Sequence, residues 1–391
     1  MPERRIIIIG AGPAGLTLGR LLQCHSIPFT IYERDASPNA RLQGGSLDLH
    51  PASGQRALLE CGLIDAFNKH ARYHDQDFRV ADKDGKIWLD YKAPPDAKGR
   101  PEIDRLVLRN ILLESIEPKS IRWGHHVSIV KRQDDGRFEV HFKDREDTEV
   151  ADLVIGADGG RSKVRSLLTD VQPYYAGMTM IDSRIYNLDE KYPDMGKFLG
   201  RGSLFAFGQR RGLLAQRNGD GSIRVYPCLQ VPESWAFDPA LNWDDTEKIK
   251  EMLLVSFFEN WDDRLKDLVR YADAPIFPRP VYQVPLGSRW ETQKGLTLVG
   301  DAAHLMSPFA GEGVNLAMLD ALELANAIVE NPTDLDEAIR KYESNIYDRA
   351  DAANRMAQEG MKRALMDDAP KTYVEETSKI IELLADGRLP E

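Results

Sequence analysis

The segment Ile6-Ile-Ile-Ile-Gly10-Ala-Gly12-Pro-Ala-Gly15 decides how this chain folds. Four consecutive isoleucines are typical of a parallel strand that is buried on both faces of its sheet. Gly10 permits a tight turn at the end of that strand, and Gly12 lets a phosphate group approach the backbone. Gly15 allows the helix predicted over residues 12–24 to pack closely against the strand. The N-terminus of that helix directs N–H groups and a positive dipole toward the phosphate.

A second strand is predicted over Phe29-Thr-Ile-Tyr-Glu33, and it ends in an acid about twenty residues after the glycines. A carboxylate at this position accepts hydrogen bonds from an adenosine ribose, favours FAD or NAD, and repels a 2′-phosphate. The pattern therefore predicts a dinucleotide site; the alternative is a tight turn that binds no ligand. The residues of this motif expected to bind the cofactor are Gly10, Gly12, Pro13, Ala14, Gly15, Glu33 and Arg34.

Two later segments have the same construction, a hydrophobic run that ends in glycines and an acid. The first is Asp152-Leu-Val-Ile-Gly156-Ala-Asp158-Gly159, with Arg161 and Arg165 shortly after it. The second is Leu298-Val-Gly300-Asp301-Ala-Ala-His304-Leu-Met-Ser-Pro308, which continues into Gly311-Glu-Gly313. Each run predicts a buried strand, and the three segments together indicate a flavoprotein.

The composition excludes several classes of partner. The chain has 391 residues and a formal net charge of −11, which disfavours nucleic acid and anionic membrane surfaces. No apolar run reaches the roughly 20 residues that span a bilayer, and the apolar residues ahead of the glycine loop are too few for a signal peptide. Cys24, Cys61 and Cys228 lack metal or redox spacing, and His125-His126 has no third ligand nearby. We therefore expect a soluble, cytoplasmic monomer without a metal site, whose partner is a small molecule.

The order of patterns along the chain predicts two lobes. Strand and helix patterns alternate up to about residue 170, long extended runs follow, and the alternating character returns at Leu298. We expect an α/β fold with a Rossmann-type FAD-binding domain, an inserted mixed β-sheet substrate domain and C-terminal helices. The expected boundaries are 1–171 and 288–360 for the FAD-binding domain, 172–287 for the substrate domain, and 361–391 for a C-terminal helix that braces the two lobes.

The individual elements are predicted as follows. Strands are expected at 5–9, 29–33, 121–131, 136–143, 152–156, 177–187, 203–217, 222–231 and 276–286. Helices are expected at 12–24, 51–61, 104–115, 244–258, 261–271, 313–329, 335–360 and 370–385. Asp134-Asp-Gly136 and Asn218-Gly-Asp-Gly221 are predicted to be the turns that join neighbouring strands.

These motifs, in this order and at these distances, resemble those of the class A FAD-dependent aromatic hydroxylases, whose best-known member is para-hydroxybenzoate hydroxylase. The resemblance extends over essentially the whole chain. Within that family, the sequence looks most like the tetracycline-inactivating flavin monooxygenases. The segments that carry this second likeness are Gly44-Gly45-Ser-Leu-Asp48-Leu-His50, Glu102-Ile-Asp-Arg105, Arg109 and Gly300-Asp-Ala-Ala-His-Leu-Met-Ser-Pro-Phe-Ala-Gly311.

The resemblance implies how the cofactor would be held. Asp301 would bind the ribityl chain of FAD, Pro308 would lie beside the isoalloxazine ring, and Arg109 would contact the phosphate–ribityl region. The backbone N–H groups of Gly311 to Asn315 would face the electron-rich end of the flavin, where a helix dipole stabilises negative charge. Asp158, with Arg165, would contact FAD and NADPH. These roles add to the cofactor-binding set the residues Gly45, Asp48, Arg105, Arg109, Asp158, Gly300, Asp301, Pro308, Gly311, Gly313, Val314 and Asn315.

Simpler explanations exist for several of these residues. Asp301 has the sequence position of a helix N-cap, Arg109 that of a charge on an exposed helix face, and Arg165 that of an ordinary surface residue. We interpret His304 as a residue that satisfies a backbone group beneath the flavin and not as a general base.

The resemblance also implies an activity. The chain would be an FAD-dependent monooxygenase that takes electrons from NADPH or NADH and uses O2. It would hydroxylate a polycyclic or aromatic, phenolic or enolic small molecule through a flavin C4a-hydroperoxide, with no side chain as the catalytic group. A tetracycline or tetracycline-like compound is the leading specific expectation, which would imply antibiotic degradation and resistance. The alternatives are a salicylate-type aromatic acid hydroxylase, an oxygen-independent flavin reductase of a C=C bond, and a non-enzymatic flavin sensor, which the large inserted lobe disfavours.

The inserted lobe is where the sequence departs from the tetracycline enzymes. Asp182 stands where they carry a glutamine, and Arg224 where they carry a histidine. A charged pair that faces the cavity would favour a substrate with an acid, enol or phenolate group; the alternative is a cross-strand salt bridge on the solvent face. Arg211 and Arg217 flank the same hairpin, with the same two explanations.

Apolar residues complete the expected substrate site. Phe205, Phe207, Tyr226 and Met318 alternate with polar neighbours as cavity-lining residues do, although aromatic residues on strands are usually core. The expected substrate-contacting residues are Asp182, Phe207, Arg211, Arg224, Pro308, Phe309, Gly311 and Met318.

Overall fold

The computed structural model describes residues 4–40, 44–74, 76–94 and 99–385, and the chain divides into two compact units. The first unit comprises Met1–Ala71, Arg105–Tyr174 and Tyr282–Ala357. The second unit comprises Arg72–Asp104, Tyr175–Val281 and Gln358–Glu391.

Strands and helices alternate over much of the chain. The strands are β1 (Ile6–Ile9), β2 (Phe29–Tyr32), β3 (Ser46–Asp48), β4 (Phe78–Asp82), β5 (Ile87–Tyr91), β6 (Glu102–Asp104), β7 (Ile121–Arg122), β8 (Val127–Arg132), β9 (Phe138–Phe142), β10 (Thr148–Ala151), β11 (Leu153–Gly156), β12 (Tyr174–Ile185), β13 (Ser203–Gly208), β14 (Arg211–Arg217), β15 (Ile223–Leu229), β16 (Asp273–Gln283) and β17 (Leu296–Leu298). The α-helices are α1 (Pro13–Cys24), α2 (Arg56–Glu60), α3 (Ile64–Asn68), α4 (Arg105–Glu114), α5 (Leu188–Lys191), α6 (Pro193–Leu199), α7 (Thr246–Ser256), α8 (Asp263–Arg270), α9 (Asp301–His304), α10 (Gly313–Glu330), α11 (Leu335–Ala364) and α12 (Ala369–Ala385).

The first unit is built on a five-stranded sheet with the order β17-β11-β1-β2-β7. β1 is parallel to both of its neighbours, with Ile9 opposite Gly156 of β11 and Tyr32 of β2. All four residues of β1 are buried, as expected for a parallel strand covered on both faces. The three hydrophobic runs of the sequence thus lie side by side as β1, β11 and β17, which confirms the predicted Rossmann-type α/β fold.

A smaller antiparallel sheet, with the order β10-β9-β8, belongs to the same unit. The predicted turn at 134–136 joins β8 to β9, and the N–H of Gln133 donates to the carbonyl of Arg137 across 2.8 Å. The single strand predicted over 121–131 is wrong, since β7 belongs to the five-stranded sheet and β8 to this one.

The second unit is built on a seven-stranded sheet with the order β16-β12-β15-β14-β13-β4-β5. One face packs against α5 to α8 through a hydrophobic core that includes Ile181, Leu213 and Val225. We call it the helix-covered face. Because side chains alternate along a strand, residues one position away from these, such as Asp182 and Arg224, point to the opposite face.

The observed arrangement of this unit differs from the predicted one in two places. The stretch 203–217 is predicted as one strand, but it forms the hairpin β13–β14, with Gln209 and Arg210 in the left-handed conformation at φ 52° and 59°. Neither turn position is a glycine, so the usual hairpin signal is missing. Residues 72–104 are predicted within the FAD-binding domain, yet β4 pairs with β13 and β5 with β4. That pairing places the segment in the second unit.

The helices near the C-terminus form where the sequence predicts them. α10, α11 and α12 correspond to the three predicted helices, although α11 continues to Ala364. α12 lies against β4, β5 and β13 of the second unit, and its function as a brace between two lobes stays a prediction. No helix among the described residues is long and apolar enough to cross a membrane.

Candidate cofactor and substrate sites

The glycine loop after β1 is shaped by close packing. Gly10 has a φ of +110°, and a Cβ there would lie 2.3 Å from the carbonyl oxygen of Ala157. A Cβ at Gly15 would lie 2.0 Å from the carbonyl oxygen of Gly10. A Cβ at Gly12, in contrast, would meet no atom within 4 Å. The fold itself therefore requires Gly10 and Gly15, whereas Gly12 borders open space, as the approach of a phosphate requires.

The N-terminus of α1 is suited to an anion. Gly12 is the N-cap residue and Pro13 begins the helix, with no side-chain cap and no acid in the first turn. The first N–H groups of a helix lack partners within the helix, and the dipole adds positive charge there. This terminus fits a phosphate group of a dinucleotide.

Glu33 directly follows β2 and joins the end of that strand to the glycine loop. Its Oε2 accepts a hydrogen bond from the N–H of Ala11 (2.7 Å), and its Oε1 accepts one from the N–H of Asp35 (2.9 Å). A carboxylate has about four lone-pair sites, so both oxygens can accept further bonds from a ribose. The sequence did not predict that Glu33 also fixes the glycine loop through its hydrogen bond with Ala11. Arg34 beside it is exposed.

Asp158 follows β11 and carries an unsatisfied acceptor. Its Oδ2 accepts a hydrogen bond from the N–H of Lys163 (2.7 Å). Its buried Oδ1 has no hydrogen-bond partner among the described residues. Burial raises the pKa of the Asp158 carboxyl, and neighbouring hydrogen bonds oppose that rise. Since a buried acceptor without a donor is unfavourable, this atom fits a hydroxyl donor from a bound cofactor.

Arg165 connects the segment after β11 to the segment after β17. Its guanidinium donates hydrogen bonds to the carbonyl oxygens of Gly160 (2.7 Å), Asp301 (2.7 Å) and Ala302 (2.8 Å). Only 3% of the residue is exposed. Burial lowers the pKa of Arg165, and the charges of Asp158 and Asp301 oppose that change. The explanation of Arg165 as a surface residue is therefore wrong.

The turn between β17 and α9 presents Asp301. Gly300 has a φ of +62°, and its N–H donates to Oδ2 of Asp320 across 2.8 Å. Gly300 is the N-cap of α9 and Asp301 is the first residue, so the explanation of Asp301 as the helix N-cap is wrong. Asp301 is exposed, so its carboxylate is accessible to a ribityl hydroxyl.

Behind this turn lies a charge cluster formed by the buried residues His304 and Asp320 and the half-buried Arg349. Nε2 of His304 is 2.6 Å from Oδ2 of Asp320, and Nη2 of Arg349 donates to Oδ1 (2.7 Å). Burial alone would lower the pKa of His304, but the Asp320 carboxylate raises it above its usual value. Burial alone would raise the pKa of Asp320, but His304 and Arg349 hold it below its usual value. The interpretation that His304 satisfies a backbone group is therefore wrong.

A second histidine, His50, lies between two carboxylates. Its Nε2 is 2.9 Å from Oδ2 of Asp48, and its Nδ1 is 3.3 Å from Oε1 of Glu312. Burial alone would lower the pKa of His50, but the hydrogen bonds and charges of Asp48 and Glu312 raise it above its usual value. Sequence analysis assigned His50 no function. The Asp48-x-His50 spacing at the end of β3, an acid two residues before a histidine, is the signal that could have done so.

Asn315, near the start of α10, is fully buried and ties the same segments together. Its Oδ1 accepts a hydrogen bond from the N–H of His50 (2.8 Å). Its Nδ2 donates to the carbonyl oxygens of Asp48 (2.9 Å) and Gly311 (3.3 Å). The Asn315 side chain therefore positions the loop, and only its backbone remains for the predicted cofactor contact.

The loop that leads into α10 leaves the helix N-terminus accessible. Pro308 begins a 3-10 turn, and Gly311 closes it in the left-handed conformation with a φ of +68°. A Cβ at Gly313 would meet no atom within 4 Å. α10 has no side-chain cap and no acid in its first turn. Pro308 and Gly311 are exposed, and Phe309, Gly313 and Val314 are half-buried.

The predicted cofactor residues on α4 differ in their environment. Arg109 is 3% exposed, donates Nη1 to the carbonyl oxygen of Pro38 (2.8 Å) and lies over the Trp123 ring, 5.6 Å from its centroid. The explanation of Arg109 as a charge on an exposed helix face is wrong. Arg105 is exposed, and its N–H donates to the carbonyl oxygen of Gly45 across 3.0 Å.

In the second unit, Asp182 and Arg224 form a buried ion pair on the face opposite the helix-covered one. Arg184 of β12 lies opposite Arg224 of β15, so Asp182 is the diagonal neighbour of Arg224. Nε of Arg224 is 3.1 Å from Oδ1 of Asp182, and Nη2 is 3.3 Å from Oδ2. Asp182 is 1% exposed and Arg224 is 5% exposed. The pair is cross-strand, but the explanation that it lies on the solvent face is wrong.

A residue that sequence analysis missed, Arg279, completes this cluster. Its Nε donates to Oδ2 of Asp182 across 2.6 Å, while 51% of its side chain is exposed. Its guanidinium lies 4.6 Å from the centroid of the Phe277 ring. One carboxylate between two guanidinium groups leaves a net positive charge. The exposed part of that charge is on the Arg279 side chain. Arg279 is 97 residues from Asp182 in the sequence, so no local pattern could have linked them.

The aromatic residues predicted to line a cavity share this face only in part. Phe205 lies opposite Leu214, and Leu214 lies opposite Tyr226, so all three point the same way as Asp182. Phe207, also on this face, is 1% exposed, and its ring centroid is 4.7 Å from that of Tyr373 in α12. Met318 in the first unit is 0% exposed. Both Phe207 and Met318 are therefore buried in the core, and their contact with substrate stays a prediction.

Arg211 and Arg217 lie on the helix-covered face. Along β14 they alternate in step with the core residues, away from Arg224. Arg211 donates to the carbonyl oxygen of Phe257, and its guanidinium is 5.4 Å from that ring. Arg217 pairs with Asp189 across 2.6 Å. Strand parity places Arg211 and Arg224 on different faces of the sheet, so Arg211 does not share a substrate-binding face with Arg224.

The chain is similar to known proteins over almost its whole length. The sequence profile of a family described as an FAD binding domain matches residues 3–204 and 283–359. Monooxygenase penA of Penicillium thymicola is 35% identical over 90% of this chain and 94% of its own. HpxO of Klebsiella pneumoniae, complexed with FAD and uric acid, has a TM-score of 0.80 at 20% identity, covering 98% of this chain and 96% of HpxO. Tetracycline destructase Tet(55) has a TM-score of 0.75 at 23% identity, covering 100% of each chain.

The two solved structures establish the fold, and the profile with the fungal relative establishes the family. The matched residues include the glycine loop, Asp158 and the Gly300–Asp301 turn, whose geometry fits FAD. The chain therefore belongs to the FAD-binding-domain family of flavoprotein monooxygenases, the class A group that its motifs resemble.

Proposed function

We propose that this protein takes electrons from NADPH or NADH and uses O2 to hydroxylate an aromatic or polycyclic small molecule that carries a phenolic, enolic or acid group. The observation that carries the proposal is the arrangement of the first unit. The glycine loop, Asp158 and Asp301 follow three neighbouring parallel strands, and carboxyl ends of parallel strands meet at one edge of a sheet. Bound FAD supplies the redox chemistry, and the residues of the chain bind, orient and exclude water.

Specific residues would hold FAD at this edge. The N-terminus of α1 would bind a phosphate, Glu33 the adenosine ribose and Asp301 the ribityl chain. Oδ1 of Asp158, which has no hydrogen-bond donor among the described residues, would accept a hydrogen bond from a hydroxyl group of the cofactor. The accessible N-terminus of α10 would face the electron-rich end of the flavin, where its dipole favours negative charge.

The charge cluster of the second unit supports a substrate with an anionic or acidic oxygen. Buried Asp182 orients Arg279, whose half-exposed guanidinium would bind such an oxygen. The motif likeness makes a tetracycline the first candidate, with resistance of the host cell as its consequence. A salicylate-type aromatic acid is the second candidate, and the exposed charge of Arg279 favours it. We also propose a cytoplasmic monomer.

Oxygen uptake by the purified holoenzyme tests this function. Uptake is measured with NADPH and with NADH, alone and with a tetracycline or salicylate, while hydrogen peroxide is quantified. Uptake that rises with one compound, with loss of its absorbance and little peroxide, supports coupled hydroxylation of that compound. Reduction of the flavin without any oxygen use would instead support a reductase. If neither compound alters uptake, both named substrates are excluded.

A further inference from the structure

The contacts of His50 define its protonation state. Both ring nitrogens face carboxylate oxygens, of Asp48 at 2.9 Å and of Glu312 at 3.3 Å. Carboxylate oxygens only accept hydrogen bonds, whereas a neutral imidazole has one N–H and one acceptor nitrogen. Both contacts are therefore favourable only when the ring carries two protons. We call Asp48, His50 and Glu312 the carboxylate–imidazole bridge.

The charged groups that contact the ring are the carboxylates of Asp48 and Glu312. β3 contributes Asp48, and the residue before α10 contributes Glu312. Asn315 of α10 and Ser53 of the Pro51–Gln55 turn present neutral groups, and these bond to each other and to the backbone of His50. The upward shift of the His50 pKa, in which the two carboxylates outweigh burial, agrees with this arrangement.

Glu312 links the bridge to the N-terminus of α10. Glu312 is the N-cap residue of α10, yet its side chain accepts no hydrogen bond from the helix. A carboxylate beside a helix N-terminus is attracted by the positive end of the dipole and by the unpaired N–H groups of the first turn. Here the contact with His50 directs the carboxylate elsewhere, and the N-terminus of an 18-residue helix stays uncapped.

We propose that His50, as an imidazolium, is a positioning residue that keeps Glu312 from capping α10 and so reserves that helix N-terminus for FAD. The inference rests on the proposed function, which assigns this terminus to the flavin. When the ring releases a proton to solvent, the longer of its two contacts, to Glu312 at 3.3 Å, is lost and the contact to Asp48 at 2.9 Å is kept. Glu312 then turns to the N–H groups of α10 and competes with the cofactor, so FAD binds more weakly.

Two measurements on the full-length apoprotein test the bridge. The first is the 15N spectrum of the imidazole nitrogens of His50 between about pH 5 and pH 10, identified by its absence in His50→Gln. The second is the dissociation constant of FAD over the same range, from quenching of flavin fluorescence. We expect a doubly protonated ring at pH 7 and an affinity that falls about tenfold as the ring titrates, a typical size for coupled sites.

Matched variants separate this role from a general loss of structure. His50→Gln should bind FAD weakly at every pH, because Glu312 is released. Glu312→Gln should bind tightly at every pH, because the competing anion is gone. His141→Gln is the control: His141 contacts one carboxylate, Glu139, at 2.9 Å in the small antiparallel sheet, and this variant should keep the wild-type profile.

Several outcomes would overturn the proposal. A neutral His50 ring at pH 7 refutes the bridge, and a Glu312→Gln variant that still loses affinity at high pH refutes the competition. If His50→Gln does not fold, Glu312→Gln and the wild-type spectrum decide the matter. If the wild-type chain binds no FAD at any pH, the proposed function fails, while the protonation of His50 is still judged by its spectrum.

Discussion

The carboxylate of Asp320 in α10 accepts a hydrogen bond from the N–H of Gly300 across 2.8 Å and thereby fixes the turn that presents Asp301. The same carboxylate binds His304 and Arg349. Arg165 holds the other side of the turn through the carbonyl oxygen of Asp301. A residue assigned to the cofactor is thus positioned by buried charges that would not themselves touch it.

We expect Asp320→Asn to lower the free energy of unfolding by about 3 kcal/mol, because two cationic side chains would lose their buried anion. Urea unfolding measures the change. Glu330→Gln in the same helix is the control, since the Glu330–Lys341 pair is about half exposed and contributes at most about 1 kcal/mol. A loss for Asp320→Asn no larger than that of the control would contradict the importance of the cluster.

The stability that His304 contributes should depend on pH. The folded-state pKa of His304 is raised, so the native chain binds more protons than the unfolded chain as this residue titrates. Its contribution is complete below the unfolded pKa of about 6.5 and declines as the pH rises through the folded value. Unfolding free energies of the wild type and of His304→Gln should therefore differ most near pH 6 and converge toward alkaline pH. A difference that grows with pH would refute this assignment of charge.

Alanine at two glycines of the loop should give opposite phenotypes. A Cβ at Gly15 would lie 2.0 Å from a carbonyl oxygen, whereas a Cβ at Gly12 would meet nothing within 4 Å. We expect Gly15→Ala to destabilise the protein by about 1–3 kcal/mol, the usual range for overpacking. Gly12→Ala should unfold like the wild type but bind FAD about tenfold more weakly, equivalent to roughly 1.4 kcal/mol. Thermal unfolding of the apoprotein and an FAD titration measure the two effects. A Gly12→Ala variant with normal FAD affinity would refute the assignment of Gly12 as the point where the phosphate approaches the backbone.

Arg279 and Arg211 provide a matched test of the substrate face. Arg279→Gln should weaken the binding of salicylate about tenfold, because one charge-assisted contact is lost. Arg211→Gln, on the helix-covered face, should leave it unchanged. Perturbation of the flavin absorbance by the ligand measures both affinities in the holoenzyme. If Arg211→Gln reduced the affinity and Arg279→Gln did not, the proposed substrate contact would be on the wrong residue.

The sequence predicts the structure best where local pattern decides it. Ile6 to Gly15 predicted a buried strand, a turn and a helix, and the structure contains them because each step is set by residues within one turn of the chain. It failed at the Gln209–Arg210 turn, where left-handed residues other than glycine carry no signal. It also left open whether Arg211 shares a face with Arg224, because a sequence shows that two residues are on strands but not which face each one occupies.

The sequence by itself determined the α/β fold, the three strand–glycine–acid segments and the FAD-binding family, since hydrophobic periodicity and glycine spacing are properties of neighbouring residues. Only the tertiary structure decided which charges meet. Asp320 reaches Gly300 from 20 residues away, Arg279 reaches Asp182 from 97, and Glu312 lies beside His50 although the two are on separate segments. These partnerships follow from strand register and helix packing, where a shift of one residue turns a side chain to the other face. The contacts that position the candidate sites are therefore set by the fold, while the motifs that identify those sites are visible in the sequence.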